Sequence, residues 1–176
     1  SPGVVTPIPE VERPIVLDGD DSEWKDIPED VVDSEDSVVS GKPNMAELWL
    51  PQWRGQDDLS FTAQYAWRKD DAIYVLLKIR DNIVVPAPKE KRSLAFQWDC
   101  LELFFDSRPQ GQRGGPVGTG ADQAIVIPIA AGKAGECDLW FSSVGKGKVK
   151  NSVDAKFVGR KTKEGYMLEG KITPAP

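Results

Sequence analysis

The 176-residue chain has no histidine. Without an imidazole, Ser-His-Asp and Cys-His nucleophilic sites, histidine acid/base chemistry and the usual zinc and His-ligated haem sites are excluded. A carboxylate-only or metal–carboxylate enzyme survives that filter; most other enzyme classes do not. Positive charge is also scarce: 22 Lys and Arg face 28 Asp and Glu, a formal charge of −6. Nucleic acid is therefore not an expected partner, because phosphate neutralisation needs clustered cations. An acidic surface also discourages anionic lipid. No stretch approaches the ~20 apolar residues that span a bilayer, so no membrane insertion is expected. Cysteine is limited to Cys100 and Cys137. Each lies in a strand-like run, so the two read as buried small hydrophobes or as a disulfide between neighbouring strands. Heptads, internal repeats and long helical periods are absent as well.

What is present is alternation. Hydrophobic residues make up 40% of the chain and charged residues 28%, a globular composition. Phe61, Ala63, Tyr65 and Trp67 alternate with Thr62, Gln64, Ala66 and Arg68. After a turn at Lys69-Asp70-Asp71, Ile73, Val75, Leu77 and Ile79 alternate with Tyr74, Leu76, Lys78 and Arg80. This period of two predicts a long hairpin, Phe61–Arg80, with one fully apolar face. Val153–Gly159 and Tyr166–Ile172 predict a second hairpin across Thr162–Gly165. Leu101–Asp106, Cys137–Val144 and a central strand at Ala124–Ile129 complete the β signal. Residues 1–14 hold four prolines and read as a linker or edge segment. Residues 15–176 read as a single domain. Ile15-Val16-Leu17 is a short apolar run ended by the Asp18-Gly19 turn. Asp20, Asp21 and Ser22 then cap one helical turn, whose Trp24 plugs the end of the core. Trp67 and Trp140 also read as core. Glu29–Asp36 reads as a solvated acidic stretch, and Asn44–Asp58 as a long loop bearing aromatic groups. About eight short strands with regular turn signals predict an all-β fold: an antiparallel β-sandwich, immunoglobulin-like or jelly-roll-like.

Four runs, IVLDGDDSEWKDIP (Ile15–Pro28), WRKDDAIYVLLKIRDN (Trp67–Asn82), WDCLELFFDSRP (Trp98–Pro109) and GYMLEGKITPAP (Gly165–Pro176), share one further property. In that order, they resemble the signatures of family 9 carbohydrate-binding modules, the first opening on a strand before its Asp-Gly turn. The resemblance implies a two-sheet sandwich, secretion to the periplasm, cell surface or medium, no catalysis, and sugar binding, often beside calcium. Members of that family continue past the Ile-Pro strand into closing strands. The strand that ends at Pro176 is therefore expected to present an open edge.

Sugars are held by stacking their CH faces on aromatic rings while amides and carboxylates take the hydroxyls. Trp98 and Glu102 best meet that need, and by resemblance Glu102 matches a sugar-contacting Glu. Arg80 or Gln97 would assist, and Trp49 and Trp53 in the long loop would offer a second stacking ring. The alternative reading makes Trp98 a cap on the core edge, Glu102 a buried carboxylate partnered by Arg80, and the loop tryptophans anchors. Asp18, Asp20 and Asp21 offer hard oxygens that suit calcium, or simply cap the turn; no cofactor is required. As a glycosidase pair, Glu102 and Asp106 would stand ~13 Å apart along a strand, beyond the ~5–9.5 Å that catalysis uses. The expected function is a non-catalytic module that binds a plant-type or microbial polysaccharide, with further domains of a larger protein as partners. Ala124-Ile125-Val126-Ile127 is apolar where the best-known type of the family carries a sugar-binding Arg and Asn. This favours an alternative, a structural or protein-interaction domain that has lost the sugar site. A haem-binding relative would have to draw on Met45 and Met167 with a lysine as axial ligands.

Overall fold

Side chains that alternate need a sheet to sort them onto two faces, and the two hairpins build it. A computed structural model describes residues 7–37, 53–105, 122–127, 135–143 and 153–174. Nine strands lie among them: β1 (Glu29–Val32), β2 (Leu59–Arg68), β3 (Ala72–Asp81), β4 (Leu101–Phe105), β5 (Asp122–Ile127), β6 (Gly135–Glu136), β7 (Asp138–Ser143), β8 (Val153–Lys161) and β9 (Gly165–Pro174). Six form an antiparallel sheet in the order β1-β2-β3-β9-β8-β6, and three form a second, β4-β5-β7. The described helical segments are all of the tight 3-10 type, at Ser22–Trp24, Glu35–Ser37 and Lys89–Gln97. The fold is all-β, as the alternation predicts, and β5 is central in its sheet.

The first hairpin pairs Phe61 with Ile79, Ala63 with Leu77 and Tyr65 with Val75, so the apolar sets share one face. Its loop closes through Asp71 N–H donating to the Arg68 carbonyl at 3.2 Å, with Asp70 in the left-handed region at φ 56°. Aspartate tolerates that conformation better than most residues. On the apolar face Val75, Leu77, Ile79, Leu168 and Phe157 make a buried cluster, and Leu101, Leu103 and Leu139 of the second sheet pack against it. The chain passes between sheets at Cys137, which is buried and donates its N–H to the Phe157 carbonyl at 2.8 Å. Cys100 packs instead near Ala95. The two cysteines therefore belong to different clusters, and both are thiols rather than a disulfide.

The opposite face of the large sheet is covered over part of its length. Ile15, Trp24 and Ile27 pack there on Ala66, Tyr74, Leu76 and Met167. Each fully buried Ile or Leu of such a cluster contributes roughly 1.5–3 kcal/mol. The expected strand at Ile15–Leu17 is not one: this run crosses the sheet and gains its stability from side-chain burial, not from a ladder. Before it, Val11 N–H donates to the Trp67 carbonyl and Trp67 N–H to that of Pro9, so residues 9–11 bridge to the end of β2.

Three further expectations change. The last strand presents no open edge, because β9 is paired with β3 on one side and β8 on the other. Tyr166 through Gly170 are all buried, which is the signature of an interior strand covered on both faces. Trp67 is not core: it is 36% exposed beside its partner Ile73 at 39%, where the apolar face runs past its cover. The acidic stretch at Glu29–Asp36 is solvated but holds a strand, since backbone pairing at an edge needs no apolar side chain. Acidic side chains there also blunt pairing with other chains.

Candidate functional site

Where the cover ends, the outer face of the large sheet becomes a groove of about 760 Å³. Its floor is set by strand register. Val31, Thr62, Lys78, Met167 and Arg160 pair successively across β1, β2, β3, β9 and β8, so all five side chains share this face. Ser60 and Arg80 form the next row. Five strands spaced by ~4.8 Å make the groove roughly 19 Å across.

The row above, Gln64, Leu76 and Glu169, marks the groove's upper limit. Glu169 is fully buried and accepts the Trp24 indole N–H at 2.8 Å, the Gly19 N–H at 3.0 Å and the Asp18 N–H at 3.1 Å. Burial raises this carboxyl above its ordinary range, and the three donors pull against the rise. Gln64, also buried, donates to the Trp24 and Ile27 carbonyls at 2.8 and 2.6 Å. Two polar side chains thus rivet the covering segment to the sheet, through both oxygens of Glu169 and the amide nitrogen of Gln64.

The cations in the middle of the groove, Lys78 and Arg80, are both paired. Lys78 pairs with Asp21 at 2.7 Å, and this hydrogen bond holds the Asp21 carboxyl below its usual value. Arg80 pairs with Glu164 at 3.0 Å and Asp57 at 2.8 Å; Glu164 first, then Asp57, raises the Arg80 guanidinium above its ordinary value. Arg160 donates its Nε–H to the Gly19 carbonyl. Gly19 has φ 81°, and a Cβ there would stand 3.3 Å from Arg160 Cδ, so the glycine makes room for the arginine stem. The groove offers hydroxyls, amine and guanidinium donors and carboxylate acceptors over a partly apolar floor. That is a surface for recognising a polar, extended ligand.

The residues singled out from the sequence scatter. Arg80 lines the groove. Trp53 belongs to the short segment that brings Gln56 to the groove and Asp57 to Arg80, and its indole N–H donates to the Leu59 carbonyl at 2.7 Å. Glu102 is exposed, not buried. It alternates with Leu101 and Leu103, which face the large sheet, so it faces away from that sheet. Arg80 projects from the other side of the large sheet, in the groove, and turns to Asp57 and Glu164 rather than to Glu102. Trp98 is half-buried at the end of the Lys89–Gln97 segment, with the Lys91 ammonium 5.8 Å from its ring centre, and Gln97 beside it is exposed. The following Asp99 pins that corner by accepting the Val85 N–H. Burial pushes the neighbouring Cys100 thiol up to about 11. Trp49, Met45 and Asp106 lie outside the described residues, as does the Trp140 side chain.

The three turn aspartates are each engaged locally. Asp18 accepts the Asp20 N–H at 2.8 Å, Asp20 the Ser22 N–H at 2.7 Å, and Asp21 holds Lys78. Among the described residues no group of three or more carboxylates and thiols is placed to hold a metal. The residues that sequence reasoning missed are Thr62, Lys78, Arg160 and Glu169. One signal was available: along one face of β3, apolar Tyr74 and Leu76 give way to Lys78 and Arg80, which is where the cover stops. No protein-family model, curated protein or solved structure matches the chain.

Proposed function

We propose that this chain is a non-catalytic carbohydrate-binding module of the family 9 type, built as a two-sheet sandwich, whose ligand lies in the groove on the open face of the large sheet. The observation that carries the reading is the groove itself: a roughly 19 Å wide sheet face, left open by the described residues, whose central cations are paired with carboxylates. Paired ions present many oriented donors and acceptors in the middle of the groove, which suits a polyhydroxylated chain. The sequence resemblance supports the same reading. Secretion follows from that resemblance. The binding site moves from Trp98 and Glu102 to Arg80, Lys78 and Thr62, with Trp53 at the neighbouring rim.

Calorimetric titration with xylo-, cello- and manno-oligosaccharides tests it. Arg80→Ala is expected to weaken binding about tenfold, the scale of one lost charge-assisted contact, and Trp98→Ala to leave it unchanged. If no saccharide, neutral or acidic, binds the wild-type protein, the proposal fails.

A further inference from the structure

The groove is polarised from end to end, and this says which saccharide it takes. Pairing of Lys78 with Asp21, and of Arg80 with Asp57 and Glu164, neutralises its middle. What is left over is sorted by strand. Glu29 and Asp33 stand on the β1 side, and Arg160, Lys161 and Lys163 on the side of β8 and its turn. Among the described residues Arg160 makes no ion pair with a carboxylate, although the chain as a whole is acidic. Asp20 and Asp21 feel its charge but are held elsewhere, by the Ser22 N–H and by Lys78.

Arg160 is also fixed in place. Its stem lies against Gly19, its Nε–H is taken by the Gly19 carbonyl, and its Nη2 stands 4.0 Å from the Met167 sulfur, a weak acceptor. A half-buried guanidinium held in this way loses little freedom on binding, and its planar fork matches a carboxylate bidentately. Resting on the function proposed above, we infer that the groove selects an acidic oligosaccharide, one carrying uronic acid units, with a sugar carboxylate seated on Arg160. Glu29 and Asp33 repel that carboxylate from the β1 end and so orient the chain, leaving Thr62, Ser60 and Arg80 to take hydroxyls.

The test titrates the wild-type protein by calorimetry with three probes of matched length: oligogalacturonate, xylo-oligosaccharide and oligoglutamate. Oligogalacturonate is expected to bind on the order of tenfold more tightly than the other two, one bidentate charge-assisted contact. Arg160→Gln should reduce the uronate-to-neutral ratio to near one. Arg160→Lys, which keeps the charge and the packed stem but not the fork, should recover only part of it. Equal affinity for xylo-oligosaccharide and oligogalacturonate would overturn the inference while leaving the binding function intact. Equal affinity for oligoglutamate would overturn it in favour of an acidic protein segment. Failure of every saccharide would remove both.

Discussion

Gly170 sits beneath the ring of Phe157, and a Cβ there would stand 2.2 Å from Phe157 Cε1. The two residues are cross-strand partners on β8 and β9, and Phe157 is fully buried. Neither the ring nor the backbone has room to give. Gly170→Ala is therefore expected to destabilise the protein by about 3 kcal/mol through overpacking, and Phe157→Ala by about 3–5 kcal/mol through cavity formation. The double variant should lose clearly less than the sum, because the space vacated by the ring admits the new methyl. Denaturant midpoints of the four proteins decide this; additive losses would show that the contact is not the cause. A glycine inside a strand signals that something approaches closely, but the sequence does not say what. The same limit misplaced the buried carboxylate. Glu102 has the more apolar neighbours in sequence, yet Glu169 is the buried one, because a third segment, 18–24, folds over it.

β3 shows how an element can carry two environments on one face. Tyr74 and Leu76 are sealed by Ile15, Trp24 and Ile27, whereas two and four residues on, Lys78 and Arg80 open into the groove. Leu76→Asp should unfold the domain or destabilise it by more than about 3 kcal/mol, since it buries a second carboxylate directly opposite Glu169. Lys78→Leu should change stability by less than about 1 kcal/mol, because that side chain is 41% exposed and its ion pair with Asp21 is solvated. Thermal melts of both variants check this, and comparable losses would mean that the groove is covered in solution. The hairpin's strands and their shared apolar face were legible in the alternation, and the central place of β5 in its nearly all-apolar, β-branched run. Which alternate face would be roofed, and how far, was not. That depends on Ile15–Ile27, whose short apolar runs have no period to read. Strand alternation alone could also have separated Arg80 from Glu102, had the order of strands been known.

At the scale of the whole molecule, one polar network ties the first hairpin's turn to the strand beside it. Asp71 accepts from Lys171 at 2.6 Å and from the Tyr74 hydroxyl at 2.7 Å, and Lys171 lies over the Tyr74 ring. Hydrogen bonding to Lys171, then to Tyr74, holds the Asp71 carboxyl below its ordinary 3.8. The hydrogen bond to Asp71 raises Lys171 above 10.5, while burial, then Asp71, raises Tyr74 above 10.0. A depressed acid stabilises above its unfolded value and loses that contribution as pH falls through its folded one. A raised lysine or tyrosine stabilises below its unfolded value and loses the contribution as pH rises. Wild type should therefore exceed Asp71→Asn in stability by on the order of 1 kcal/mol between about pH 5 and 9. The gap should close below pH 3.8 and narrow above pH 10, where the Arg68 guanidinium 3.3 Å from Asp71 stays charged. Urea midpoints across that range test it, and a gap independent of pH would sink the assignment.

By itself the sequence determined that this chain is a β protein with two long hairpins, that it has no imidazole chemistry, and that its surface is acidic. Those properties are local, fixed by composition and by a two-residue period that neighbouring side chains impose on one another. Only the tertiary structure decided which strands adjoin, that β9 lies between β3 and β8, and that residues 15–27 roof part of one face. These choices are made by contacts between residues as far apart as Asp18 and Glu169. The groove is the part of the sheet that those long-range contacts leave open, which is why no single run of sequence announces it.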